Sequence, residues 1–232
     1  MFASIIEAES CKEVFLIQPS QRLEHERSNL RLTRRRNIIE AAQIVFTNKG
    51  FEQATMQEIA KEASLGVATI FRYFPKKEQL IVSVASRIVQ SEFEVLSEIV
   101  RGKGNCYDKL DRIFGVLIFF QNTEHQRNSK LIEAFECYVA MSKEPLEDIE
   151  IYQAQYNKLI ALFSELALLG EQDGSVRTDH MTTDTIITMM NVFGNFSKKM
   201  AMLNGIAAFH TQVEEAKQFK ILKKLFLDQL RA

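Results

Sequence analysis

Between Arg31 and Lys77 the chain carries nine Lys or Arg residues (31, 34, 35, 36, 49, 61, 72, 76 and 77) against four Glu (40, 52, 58 and 62). The full 232 residues hold 29 basic and 30 acidic side chains, so a compact basic block is joined to a mildly acidic remainder. Such a block suits a polyanion; a merely solvated basic face is the alternative. Within the block Arg72 has the most to offer a nucleic acid, because a planar guanidinium pairs bidentately with O6 and N7 of guanine. A phosphate contact is the competing role for the same side chain. Catalytic chemistry finds little support. There is no Walker loop, no G-x-S-x-G elbow and no H-E-x-x-H motif, and His25, His125, His180 and His210 stand singly. Cys11, Cys106 and Cys137 are widely spaced with no His at ligand spacing, which fits three reduced thiols and neither a zinc site nor a disulfide framework. No enzyme activity, cofactor or metal is expected.

The elements that must position the basic side chains read as helices throughout. Apolar residues make up 46% of the chain, Gly and Pro are few (nine and three), and no long apolar–polar alternation occurs. The expected class is all-α. The longest stretch free of polar side chains, Phe114 to Phe120, falls far short of the roughly 20 residues that span a bilayer. The first residues lack a basic start and are interrupted by Glu7, Glu9 and Glu13, so no secretory signal is read and a cytoplasmic location is expected.

Residues 1–30 read as a loosely attached extension with at most a short helix. The clear pattern starts at Leu32, where Ile38, Ala41, Ala42, Val45 and Phe46 share one helix face, with Thr33 as its cap and Gly50 as its stop. Thr55-Met56-Gln57-Glu58 is a capping box opening a second helix with Met56, Ile59, Ala60 and Ala63 on its apolar side. Ser64-Leu65-Gly66 leaves room only for a sharp turn before a third helix, Val67 to Phe74. Pro75 ends it and opens a long fourth helix to about Val100. A helix, tight turn and short second helix braced by a preceding helix is a helix-turn-helix, whose second member lies in the DNA major groove.

These residues resemble the TetR family of transcriptional regulators. The resemblance rests on Ile38-Ile39-Glu40-Ala41-Ala42, Val45-Phe46, Gly50-Phe51, Thr55, Ile59-Ala60 and Ala63, then Thr69-Ile70-Phe71-Arg72-Tyr73-Phe74 and Lys77-Glu78-Gln79-Leu80. It implies that Thr55 binds a DNA phosphate and that Tyr73 and Lys77 clamp the backbone. It places Gly66, Val67, Ala68, Thr69, Phe71 and Arg72 at base-facing or close-approach positions. Thr69 and Val67 can pack on thymine methyls, whereas Ile70 and Phe74 serve as core anchors. The family usually carries Gly-Val-Ser before the recognition helix; here Ser64-Leu65-Gly66 stands instead, Ala68 replaces a common Gly and Phe71 a common Tyr.

Four regions follow: an extension at 1–30, the helix-turn-helix domain at 31–77, a connecting helix and boundary at 78–105, and a helical effector-binding and dimerisation domain at 106–232. Five further helices are expected near 107–122, 128–141, 146–170, 181–203 and 212–230. Between Ile186 and Leu203 the apolar set is too wide for one core-facing stripe, and the last helix is amphipathic, with Val213, Ala216, Phe219, Leu222, Leu225 and Phe226 opposite Lys217, Lys220, Lys223 and Lys224. Both suit pairing of two copies across a two-fold axis, so a homodimer on double-stranded DNA is expected. The resemblance implies a small-molecule pocket in the body, for which Tyr138, Tyr152, Tyr156, Asn191 and Asn195 are the candidate ligand-binding residues; packing in the core is the alternative for each. The absence of a charged cluster at ligand spacing points to an apolar or lipophilic effector. The function expected is that of a regulator, with repression released by the effector. A family member without an effector, and a helical carrier with vestigial DNA binding, are the alternatives.

Overall fold

The computed structural model describes residues 19–119, 123–177, 179, 181–203 and 214–232. Cys11, Phe120, His180, His210 and Val213 lie outside these. Among the described residues the chain is nine helices: α1 (Pro19–Gln53), α2 (Met56–Glu62), α3 (Val67–Tyr73), α4 (Lys77–Arg101), α5 (Cys106–Phe119), α6 (Thr123–Met141), α7 (Ile149–Asp173), α8 (Thr183–Leu203) and α9 (Glu215–Leu230). A single antiparallel bridge, Val176 to Arg231, is the β-type pairing among them. The fold is all-α with an N-terminal helix-turn-helix, as expected.

The largest departure from the sequence reading is α1. It begins at Pro19 rather than Leu32, so Thr33 lies inside a helix and caps nothing. Residues 21–34 are exposed all round, which is why they show no apolar stripe. They are nevertheless rich in good helix formers and free of Gly and Pro after Pro19, whose missing N–H is harmless at a helix start. Gly50 interrupts α1 at φ 74° and ψ 172°, a conformation that glycine adopts without a Cβ penalty.

Thr55 caps α2 as read: its Oγ1 accepts from the Glu58 N–H at 3.3 Å and the Glu58 carboxylate accepts from the Thr55 N–H at 3.1 Å. The turn to α3 is closed by the Leu65 N–H on the Ala60 carbonyl (2.9 Å) and the Ser64 N–H on the Lys61 carbonyl (3.1 Å). This is a Schellman ending with Ser64 in the left-handed position at φ 53°. Helix α4 starts at Lys77, two residues beyond Pro75, with Lys76 as cap and the Gln79 side chain returning to the Lys76 N–H.

Two hydrophobic cores result. The first unites α1, α2, α3 and the first half of α4 with Leu131, Ile132 and Phe135 of α6 and with Leu146. The second joins the end of α4 to α5, α7, α8 and α9 around Phe114, Phe193 and Phe219. The helix-turn-helix head is therefore not a free-standing unit, since α6 completes its core. The α6–α7 connection docks on the same end, where Lys76 pairs with Glu147 at 2.6 Å and Gln79 donates to Asp148 at 3.0 Å. Arg87 ties α4 to Glu40 of α1 at 2.7 Å; exposed pairs of this kind each contribute about 0–1 kcal/mol. Burial of apolar surface carries the rest.

Candidate nucleic-acid interface and body cavity

Helix α3 is held from beneath and open above. Ile70 and Phe74 are fully buried. Gly66, Ala68, Phe71 and Arg72 are exposed, and Val67, Thr69 and Tyr73 are half-buried at the edges of the same surface. Phe71, 44% exposed, puts an apolar ring where a solvated surface would ordinarily carry a polar group. Gly66 caps α3 without a side-chain hydrogen bond, so the free N–H groups of the first turn remain open.

Beside α3 runs a groove that the sequence reading missed. Arg27, Arg31 and Arg34, at i, i+4 and i+7 on one face of α1, line it together with Leu30, and Arg72 and Tyr73 of α3 close the other wall. The Arg72 guanidinium lies 5.8 Å from the centre of the Tyr73 ring. Four guanidinium groups converge there with no carboxylate in the lining. The signal was present as helical spacing at 27, 31 and 34, but it required α1 to extend beyond Leu32. Arg35 plays a different part: it stacks 4.2 Å over the Phe74 ring and donates to the Tyr73 carbonyl at 3.4 Å. Burial lowers its pKa, opposed by the attraction of Asp148, with Arg31 adding to the lowering. It braces the end of α3 rather than facing solvent.

Lys77 has partners within the head. Its ammonium donates to the carbonyls of Phe51 (2.8 Å), Ala54 (3.1 Å) and Glu52 (3.2 Å), the unsatisfied acceptors after the break at Gly50. Its three N–H donors meet three carbonyl acceptors. Lys77 closes the head internally. The carboxylate of Glu58 pairs with Lys49, and that hydrogen bond, with the Thr55 N–H, lowers the Glu58 pKa. Thr55 is exposed and its hydroxyl keeps its own hydrogen to donate.

The body encloses a cavity of about 200 Å³ between α4, α5, α6, α7 and α8. Tyr152, Tyr156, Asn191 and Asn195 line it together. Tyr138 does not: it lies edge-on to Phe51 of the head, 6.1 Å between ring centres. Its position on an otherwise apolar helix face reflects the seam between α6 and the head. The three charged lining residues, Glu92, Glu136 and Lys198, were not among the sequence candidates. They stand on α4, α6 and α8, so no local spacing links them. Lys198 pairs with Glu136 at 2.5 Å. Glu92 makes no hydrogen bond or ion pair among the described residues, and burial pushes its pKa up to about 7, opposed by the attraction of Lys198 and reinforced by Glu136. The wall is mostly apolar, as a small-molecule pocket requires, but packing adds to its polar groups two carboxylates and an ammonium that no spacing in the sequence brings together.

No group of three or more His, Cys, Asp or Glu among the described residues has metal-binding geometry. Cys106 is buried, its thiol donating to the Leu166 carbonyl at 3.4 Å with its pKa raised to about 12 chiefly by burial. Cys137 is exposed and free. No described helix is long and apolar enough to cross a membrane.

Residues 38–84 match the family model of bacterial regulatory proteins, tetR family. This segment is a TetR-family helix-turn-helix. With the helical body beside it, the chain has the fold of TetR-family regulators. The chain is 32% identical over 101 residues to the HTH-type transcriptional repressor KstR of Mycolicibacterium smegmatis, a match that covers 44% of the chain and 48% of that protein. The chain thus aligns with only about half of this curated relative. Among solved structures it superposes on FadR from Bacillus subtilis in complex with stearoyl-CoA at a TM-score of 0.64, with 16% identity over 83% of the chain and 97% of FadR. A transcriptional regulator from Saccharomonospora viridis in complex with choline gives 0.66, with 15% identity over 85% of the chain and 97% of its own. At these identities the likeness is one of fold.

Proposed function

We propose that this chain is a cytoplasmic, homodimeric repressor that binds a pseudo-palindromic operator and releases it when a small molecule enters the body cavity. The observation that carries this reading is the sharing of α6 between cavity and head. Ser129, Ile132 and Glu136 face the cavity, while Leu131, Ile132 and Phe135 belong to the head's core. Helix α4 does the same through Val89, Glu92 and Leu96 on the cavity and Leu80 to Ala85 in the head. A ligand that shifts either helix moves α3, and two heads bind together only if their spacing matches one helical repeat of DNA. Coupling of about 1–3 kcal/mol suffices for such control. The repressor sign is supported by KstR, and a ligand-binding body by FadR and the choline-bound regulator.

On the DNA, Arg72 and the edges of Val67 and Thr69 face bases. Thr55, Tyr73 and the groove arginines Arg27, Arg31 and Arg34 meet phosphates, which fix register without reading sequence. Exposed Ile221 and Leu225 share one face of α9, at 58% and 62% exposure, and they suit the partner subunit. Selection of genomic fragments by the purified protein tests the reading: an inverted repeat should emerge. Arg72→Ala should relax one base position at a cost of about 1–3 kcal/mol. Leu225→Glu should yield monomers in sedimentation and lose the repeat. Enrichment of no motif by effector-free protein overturns effector-released repression.

A further inference from the structure

We infer that the body cavity takes an organic cation, an amine or quaternary ammonium carried on an apolar body, with Glu92 as its counter-charge; this rests on the effector reading above. The cavity wall is built from aliphatic and aromatic side chains such as Leu96, Ile132, Leu159 and Phe163, which select a hydrophobic body. Its charges are uneven. The only cationic lining residue, Lys198, is already paired with Glu136, so an anionic ligand finds no free positive partner among the described residues. Glu92 is the reverse: a carboxylate on the cavity wall without a hydrogen bond or ion pair among them. Tyr152 and Tyr156 also line the cavity, their rings 6.5 Å apart and 20° from parallel, and aromatic rings attract a cation that reaches a face. The Asn191 and Asn195 side chains add carbonyl acceptors on the α8 wall.

Proton balance follows from the same geometry. The groups facing Glu92 are Glu136 from α6, Lys198 from α8, and Tyr152 and Tyr156 from α7. Burial holds the Glu92 proton to about pH 7. A fixed cation seated beside it favours the carboxylate, so binding releases that proton, and affinity rises with pH until Glu92 is ionised unaided.

Decyltrimethylammonium, decanol and decanoate share a tail and differ only in head group and charge. Calorimetry on the full dimer, below micellar concentrations and at several pH values between about 5 and 8, should give decyltrimethylammonium at least about tenfold tighter binding than either other probe at neutral pH. That preference should weaken toward pH 5, and Glu92→Gln should abolish it and its pH dependence while leaving decanol affinity, and the circular-dichroism melt at pH 5, in place. Tighter binding of decanoate, binding of none of the three, or a cation preference that survives Glu92→Gln overturns the inference. Operator release, measured in parallel, separates the two readings. A cation that binds through Glu92 but leaves operator affinity unchanged refutes the proposed function and keeps the site; decanoate that binds and releases the operator does the opposite.

Discussion

Ser64 and Gly66 stand in exchanged places. The left-handed residue that ends α2 is a serine, and the residue that caps α3 is a glycine with no side chain to offer. A Cβ built on Gly66 meets nothing within 4 Å, so a serine fits there. Ser64→Gly should raise stability by about 0.5–1 kcal/mol, and adding Gly66→Ser by a few tenths more, read from the shift of the urea midpoint at constant slope. Both departures were visible in the sequence as the order Ser-Leu-Gly, because turn and cap chemistry is local. Lys77 was not legible in the same way: its three acceptors lie more than 20 residues earlier, and only the break at Gly50 brings them to one point. Lys77→Met should therefore cost about 1–3 kcal/mol of stability, in the range of hydrogen bonds to a charged group. The slope of log K against log salt should stay as it is in the unaltered protein.

At the scale of elements, α2 and α3 were readable because the capping box, the turn and Pro75 mark their ends within a few residues. The five body helices were readable from apolar spacing alone, with ends displaced by a few residues. The first two turns and more of α1 were not, because a helix exposed all round carries no periodic signature. That segment holds Arg27 and Arg31, and its charge is testable by the salt response. Alanine at Arg27, Arg31 and Arg34 together should reduce the salt slope by nearly one for each phosphate lost, and weaken all DNA sequences alike. Helix content in circular dichroism should change little, since alanine is the best helix former. A triple variant with an unaltered slope would place the phosphate backbone elsewhere. The cavity's charges escaped sequence reading for a different reason: Glu92, Glu136 and Lys198 are neighbours only after α4, α6 and α8 pack.

For the whole molecule, Glu92 makes stability depend on pH with a definite sign. Its carboxyl keeps a proton up to about pH 7 in the folded, empty protein, against a usual value of 4.5. Over that window the folded state holds more protons than the unfolded chain, so this group's contribution falls as pH rises from about 4.5 to 7 and stays low above. Glu92→Gln removes the loss. The difference in Tm between variant and unaltered protein should be small near pH 5 and should grow in favour of glutamine toward pH 8, in differential scanning calorimetry. A difference independent of pH would mean that Glu92 is ionised throughout.

The completion of the head's core by Leu131, Ile132 and Phe135 has a consequence for anyone who would transplant this reader of DNA. A graft cut after Lys77, or at the turn near Gly102, leaves behind Leu131, Ile132, Phe135 and Leu146 and opens the core they share with Ile38, Phe46 and Phe74 to water. Hydrogen exchange should accordingly find the amides of α6 opening together with those of α1 and α3, as one cooperative unit distinct from α8 and α9. A working chimera must carry α6 and the Leu146 turn along with the head, and with them one wall of the cavity: in this molecule the helix-turn-helix cannot be borrowed without part of the body.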